Sequence, residues 1–255
     1  RDSYWTAIDS ASFGGCALDT AGAITCWGDD YYGEAVSGAP SGTDYEHISI
    51  GTGNNCALDS SGNIDCWGRD IYVGDDPSGT FADVEASLTH SCALTSSGYL
   101  ECWGGEYDWD EGQIEDTPST SGWYDISVGL WLSCGITDSR TVECWGDNDY
   151  GVISGVPSEQ MKKVSGSSYA ACGLTYCYFD GDCDAEGEVV CWGDESEDAW
   201  DVLAEAPSGS GYTDLSVGVT HACALDEDGA IHCWGDDASF SEDDIPSGTG
   251  YTQVS

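Results

Sequence analysis

Fourteen cysteines are the most reactive groups in this 255-residue chain, and twelve of them form six pairs in which the second member opens the tripeptide Cys-Trp-Gly. The pairs are Cys16/Cys26, Cys56/Cys66, Cys92/Cys102, Cys134/Cys144, Cys172/Cys191 and Cys223/Cys233, with nine residues between partners except in the Cys172 copy, which carries an insertion. A zinc site would need close Cys-x-x-Cys pairs, and none occurs. A disulfide needs the partners to face each other. If each pair spans a β-hairpin, setting Cys16 against Cys26 places Leu18 opposite Ile24 on the same face, because side chains alternate with period two. Directly opposed residues lie about 4.5 to 5.5 Å apart between Cα atoms, within disulfide reach. The spacing therefore predicts six hairpin staples, one per pair, and leaves Cys177 to bond Cys183 inside the insertion. Each such loop constrains the unfolded chain by roughly 3 kcal/mol in the entropy picture. Staples at this density point to an oxidising, extracellular or cell-surface location.

The remaining reactive groups are four histidines and 48 carboxylates. His90 and His221 share one repeat position, two residues before a cysteine, where Gly14, Asn54, Leu132 and Ala170 stand in the other copies. A position that accepts Gly and Leu serves structure. His47 and His232 have no partner in a recognisable catalytic arrangement along the chain, and carboxylates are too numerous for any pair to be informative, so no enzyme activity is expected. The one motif with metal chemistry is Asp180-Gly-Asp182-Cys-Asp184-Ala-Glu186, whose alternate acids suit Ca²⁺. It departs from an EF-hand loop at Ala185, where Gly is wanted, and at Cys191, where the bidentate Glu belongs. Calcium is the candidate cofactor, and no other is expected.

The elements that carry these groups form a repeat. Upstream of each cysteine pair stands an aromatic residue or Met followed three positions later by an aliphatic: Trp5/Ile8, Tyr45/Ile48, Phe81/Val84, Trp123/Ile126, Met161/Val164 and Tyr212/Leu215, each aliphatic eight residues before its cysteine. Six stacked units follow, at approximately residues 4–39, 44–76, 80–117, 122–156, 160–206 and 211–245, with an extra strand over 246–255, all in one domain spanning 1–255. Ile48-Ser-Ile50, Cys56-Ala-Leu58 and Ile64-Asp-Cys66 alternate over short segments bounded by Gly, Ser, Asp and Asn, the pattern of half-buried strands. The six prolines all stand in Pro-Ser linkers, and no segment keeps a helical apolar stripe, so the fold class is all-β with little helix.

The repeat resembles that of the RCC1 family, roughly a Gly, a His, Ala-Leu, Asp-Gly, then Trp-Gly-x-Asn-x-x-Gly. Cys144-Trp-Gly-Asp-Asn-Asp-Tyr-Gly151 is the best match, and His90-Ser-Cys-Ala-Leu94 and His221-Ala-Cys-Ala-Leu225 match the front half. The resemblance covers essentially the whole chain. It implies a β-propeller of four-stranded blades, six or seven in number or open and strand-swapped, in a cysteine-stapled variety similar to secreted prokaryotic members. Members of the family are mostly interaction platforms, including a nucleotide exchange factor for a small GTPase and a secreted β-lactamase inhibitor; neither activity carries over residue by residue.

A formal net charge of −43, from 48 acids against five Lys plus Arg, excludes a nucleic-acid partner, because such a surface repels phosphate. The self-repulsion favours a salty medium, as in a halophilic or marine source. No 18-residue apolar run spans a membrane. The start at Arg1 reads as a processed form or a piece of a longer protein.

The six Trp-Gly tryptophans read as blade packing. Trp109, Trp131 and Trp200 fall outside the repeat register and are candidate interface anchors. Tyr251-Thr-Gln-Val254-Ser255 is a seventh copy of the aromatic-aliphatic strand without a hairpin. It predicts an open arc, a longer chain with further repeats, or a strand donated to the next subunit. The leading expectation is a non-enzymatic extracellular protein whose partner is itself, in a fibre, appendage or coat. The alternative is a monomeric module that binds another extracellular protein or a glycan on its loop face.

Overall fold

The computed structural model describes residues 5–12, 14–28, 36–68, 76–104, 110–177, 186–193, 200–236 and 245–255, with the backbone alone at Trp200 and Asp201. Each hairpin turn is set locally. Asp19 and Asp59 end their strands, Asp226 directly follows its own, and each accepts, through Oδ1, the backbone N–H groups two and four residues on, at 2.8 to 3.0 Å. Thr95 does the same with its hydroxyl for Tyr99 N–H at 2.9 Å. A short polar side chain that bonds the backbone just ahead reverses the chain at low cost.

Eighteen strands form six three-stranded sheets in chain order. The first three sheets are β1 (Trp5–Ala11), β2 (Gly14–Asp19) and β3 (Ile24–Gly28); β4 (Tyr45–Ile50), β5 (Asn54–Asp59) and β6 (Ile64–Gly68); and β7 (Phe81–Ala86), β8 (His90–Thr95) and β9 (Leu100–Gly104). Next come β10 (Trp123–Val128), β11 (Leu132–Thr137) and β12 (Val142–Gly146). The last two are β13 (Met161–Gly166), β14 (Ala170–Thr175) and β15 (Val189–Gly193), then β16 (Asp214–Val217), β17 (His221–Leu225) and β18 (Ile231–Gly235). A short helix, α1 (Trp200–Ala204), lies between β15 and β16. The resemblance implies a fourth strand per blade; among the described residues each sheet holds three. Residues 246–255, expected as an extra strand, join no strand ladder.

The cysteine partners are directly opposed in each second hairpin, Cys16↔Cys26, Cys56↔Cys66, Cys92↔Cys102, Cys134↔Cys144, Cys172↔Cys191 and Cys223↔Cys233, and all six pairs are disulfides with Cα atoms 4.0 to 4.1 Å apart. Cys177 is disulfide-bonded as well; its expected partner Cys183 lies outside the described residues.

An aromatic and an aliphatic three residues apart should fall on opposite faces of a regular strand. They share one here because a bulge intervenes. The register of β1, β4, β7 and β13 shifts between the first and third residues, at Trp5/Ala7, Tyr45/His47, Phe81/Asp83 and Met161/Lys163. The extra residue rotates the rest of the strand by one position, so that Tyr45 and Ile48 point into the same core.

The chain divides into two compact units, Arg1–Trp131 and Leu132–Ser255. In both, the core lies between consecutive repeats. In the first, Cys16 and Leu18 of repeat 1 pack on Tyr45, Ile48 and Trp67 of repeat 2, and Cys56, Leu58 and Ile64 pack on Phe81 and Val84 of repeat 3. In the second, Cys134, Ile136 and Val142 pack on Met161, Val164 and Trp192, and Cys172 and Leu174 pack on Tyr212, Leu215 and Trp234. Each repeat thus has two different faces, a staple face that carries the disulfide and an aromatic face, and in these pairs the staple face of one repeat covers the aromatic face of the next. Within the hairpin, the glycine of Cys-Trp-Gly lets the two strands come close where they diverge; at Gly68, φ is +139° and a Cβ would lie 2.4 Å from the Gly53 carbonyl oxygen. No helix among the described residues is long and apolar enough to cross a membrane.

Candidate interaction surface

Each hairpin turn receives the first residue of the following repeat. Tyr45 N–H donates to the Gly22 carbonyl at 3.2 Å, Phe81 to Gly62 at 2.9 Å, Trp123 to Gly98 at 3.2 Å, Met161 to Arg140 at 2.8 Å and Tyr212 to Gly187 at 3.1 Å. The sixth turn is filled in the same way. Tyr251 N–H donates to Gly229 at 3.1 Å and Gly250 N–H to Asp228 at 2.9 Å. Gly229 has φ +74°, and a Cβ there would strike the Tyr251 carbonyl oxygen at 2.6 Å. The seventh aromatic therefore occupies the seat that a seventh repeat would use.

Three residues beyond, Val254 N–H donates to Asp214 Oδ2 at 2.9 Å. The other carboxylate oxygen of Asp214 is paired with the Lys163 ammonium, so this buried acid has a cation on one side and the terminal backbone on the other. Tyr251 is exposed and Val254 half-buried. Beside them Asp226 accepts a hydrogen bond from His232 at 2.9 Å, which holds its carboxyl below the usual carboxylate range, and burial raises the Tyr212 phenol.

The complementary feature is the aromatic face of repeat 1. Tyr45, Ile48 and Trp67 of repeat 2 are 8%, 3% and 5% exposed, whereas Trp5, Ile8 and Trp27 at the same positions of repeat 1 are 55%, 48% and 47% exposed. In later repeats this tryptophan is covered by the linker of the preceding one: the Trp192 indole N–H donates to the Val152 carbonyl at 3.0 Å and that of Trp234 to Val202 at 2.9 Å. In repeat 6, Cys223 is only partly buried, whereas the first cysteine of each other repeat is fully buried. One aromatic face and one staple face are therefore open.

The residues singled out by sequence are distributed unevenly. Tyr251 and Val254 belong to the seat just described. Trp131 is partly buried, Trp200 begins α1 with its side chain outside the description, and Trp109 lies outside the described residues. Asp180, Asp182 and Asp184 of the expected calcium loop are also outside them; Glu186 is exposed and its carbonyl accepts Gly211 N–H at 2.8 Å. His90 is fully buried, its Nδ1 3.2 Å from the Thr89 hydroxyl, and burial lowers its pKa to about 3. Trp5, Ile8 and Trp27 carry the ordinary repeat pattern, and nothing in their residue types sets them apart from their buried counterparts.

The six disulfide-stapled three-stranded sheets have the fold of RCC1-like β-propellers, which the comparisons with known proteins show. Residues 212–240 match the Regulator of chromosome condensation (RCC1) repeat. No curated protein matches the chain by sequence. Among solved structures, the CRINKLY WD40 ectodomain of the Arabidopsis thaliana receptor kinase ACR4 is 23% identical over 95% of this chain and 83% of its own, with a TM-score of 0.72. The entire ectodomain of the Physcomitrella patens receptor kinase CR4 is 26% identical over 93% of this chain and 66% of its own, also at 0.72. Yeast RCC1 (Prp20), solved bound to Kap60, is 13% identical over 91% and 70%, at 0.68.

Proposed function

We propose that this is a non-enzymatic extracellular protein that assembles head to tail into a fibre, appendage or coat. The observation that carries this reading is the open aromatic face of repeat 1, whose Trp5, Ile8 and Trp27 stand where later repeats bury their counterparts against a repeat of the same kind. The occupant is a second copy. Its Tyr251–Ser255 segment, already anchored on the sixth turn, takes the place of β1 beside β2, and its repeat 6 staple face covers Trp27. The exchange replaces one ladder on β2 by another, and Trp5 and Ile8, the two large side chains of β1, are already about half exposed. The contact joins unlike surfaces, so it propagates as a filament unless its rotation closes a ring. Six disulfides and the likeness to receptor ectodomains support an extracellular setting.

The test is light scattering and negative-stain microscopy of the non-reduced chain in high salt, where repulsion between copies of charge −43 is screened. Regular polymers that vanish on deletion of residues 251–255, with the six repeats still folded, are expected. Polymers that survive the truncation remove strand exchange. The second reading, a monomeric binding module, is favoured by the ectodomain neighbours; a particle of 26.9 kDa with Trp27 open to a quencher supports it. A monomer with Trp27 protected means that the two open faces cover each other within one chain. Native material of higher mass per chain means that a preceding repeat covers the face.

A further inference from the structure

We propose that His47, Asp83 and Glu85, in the first unit, bind a divalent transition-metal ion of the Zn²⁺ class. The three side chains come from neighbouring first strands, His47 from β4 and the two acids from β7, on which they alternate and so share a face. One donor atom from each lies within 4.8 Å of the other two. His47 Nε2 is 3.5 Å from Asp83 Oδ1 and 3.8 Å from Glu85 Oε1.

These distances decide between two roles. A charge-assisted hydrogen bond from imidazole to carboxylate closes to about 2.7–2.9 Å. Donors that share a tetrahedral ion at about 2.0–2.2 Å stand roughly 3.3–3.6 Å apart. The observed spacing is too long for the first and close to the second. Nε2 is itself shielded from solvent and makes no hydrogen bond, although two carboxylates face it. A shielded ring nitrogen without a partner is costly, and a cation between the three groups satisfies all of them.

The acids are already oriented. Glu85 accepts the Ser49 hydroxyl through Oε2 at 3.1 Å, which leaves Oε1 toward His47, and Asp83 Oδ1 accepts the Val84 N–H at 2.9 Å. Outer contacts of this kind aim ligands at an ion. The second unit provides the contrast. Lys163 and Asp214 occupy, in repeats 5 and 6, the strand position that His47 and Asp83 hold in repeats 2 and 3, and there the ammonium is the cation. Where repeat 5 has Lys, repeat 2 has His, and the metal ion takes the place that the ammonium holds there. One nitrogen and two carboxylate donors suit Zn²⁺ and its first-row neighbours better than Ca²⁺ or Mg²⁺, which take oxygen shells.

The experiment is calorimetric titration of the EDTA-treated, disulfide-intact full chain with Zn²⁺ in 0.15 M salt (about an 8 Å Debye length, which suppresses diffuse counterion binding), beside Co²⁺ followed by its visible absorption. One saturable site with nitrogen-ligated Co²⁺ bands is expected. His47→Ala and Glu85→Gln should each weaken Zn²⁺ at least tenfold. Glu46→Gln, an exposed neighbour on the same strand, should leave it unchanged. Uptake that never saturates, or a saturable site indifferent to His47→Ala, overturns the proposal. Because His47 is partly exposed, unchanged circular dichroism of the metal-free variants separates lost ligation from misfolding.

Discussion

Repeats 1 and 2 carry the same hairpin, the same staple and nearly the same residues, yet one has its aromatic face in water and the other in the core. Trp27 and Trp67 follow the same Cys, precede the same Gly and differ about ninefold in exposure, 47% against 5%. The motif sets which way an indole points; a neighbouring repeat decides whether it is buried. In a stacked protein each repeat is completed by the one before it.

The comparison breaks most sharply at the tryptophans. Trp67→Ala should cost about 3–5 kcal/mol in denaturant unfolding, the usual range for emptying a packed aromatic site. Trp27→Ala should cost the monomer under about 1 kcal/mol, as surface changes do, while lowering polymer yield. Equal losses at both sites would mean that Trp27 is covered in solution.

The staples come next. Removing Cys56–Cys66 by paired Ser substitutions should cost about 2–4 kcal/mol. The same change at Cys223–Cys233 opens a loop of equal length but removes a cysteine that is only partly buried, so its loss should be smaller by the packing difference alone. Thermal melts of both double variants measure that difference.

A titration sharpens the contrast between repeats 2 and 3. Repeat 3 holds His90 where repeat 2 holds Asn54, and burial depresses the His90 pKa to about 3. Between that value and the unfolded value of about 6.5, the unfolded chain binds the extra proton. Stability from neutral His90 is therefore complete above pH 6.5 and lost as pH falls toward 3. His90→Asn, which copies repeat 2, should flatten that part of the pH–stability curve; an unchanged slope would show that His90 does not titrate with unfolding.

The smallest effects concern single methylenes. Ile48→Val should cost about 1 kcal/mol in the repeat 2 core, and Ile8→Val close to nothing in the monomer, with urea midpoints as the readout. If strand exchange buries the first-strand position, Ile8→Val should also leave polymer stability unchanged, since Val254 replaces Ile8 there.

Much of the fold was legible because its signals are local. Cysteines ten residues apart around a Ser-Gly or Ala-Gly turn can only be cross-strand partners once the segments alternate with period two, and Asp19, Asp59 and Asp226 announce the turns between them. The bulge was not legible. The i, i+3 spacing of Tyr45 and Ile48 signalled a marker but not how one strand turns both inward, since a register shift depends on the partner strand. Nor was the metal cluster: His47 is 36 residues from Asp83, and it looks isolated until the first strands of two repeats lie side by side.

The sequence alone determined the repeat, the stapled hairpins, the acidic surface and the absence of a long apolar segment, because each rests on composition or on contacts within about a dozen residues. Tertiary structure decided which copies of an identical motif are buried, which turn holds Tyr251, and which distant side chains face His47. Those outcomes follow from packing between repeats, where the same residue is core or surface according to what stands next to it.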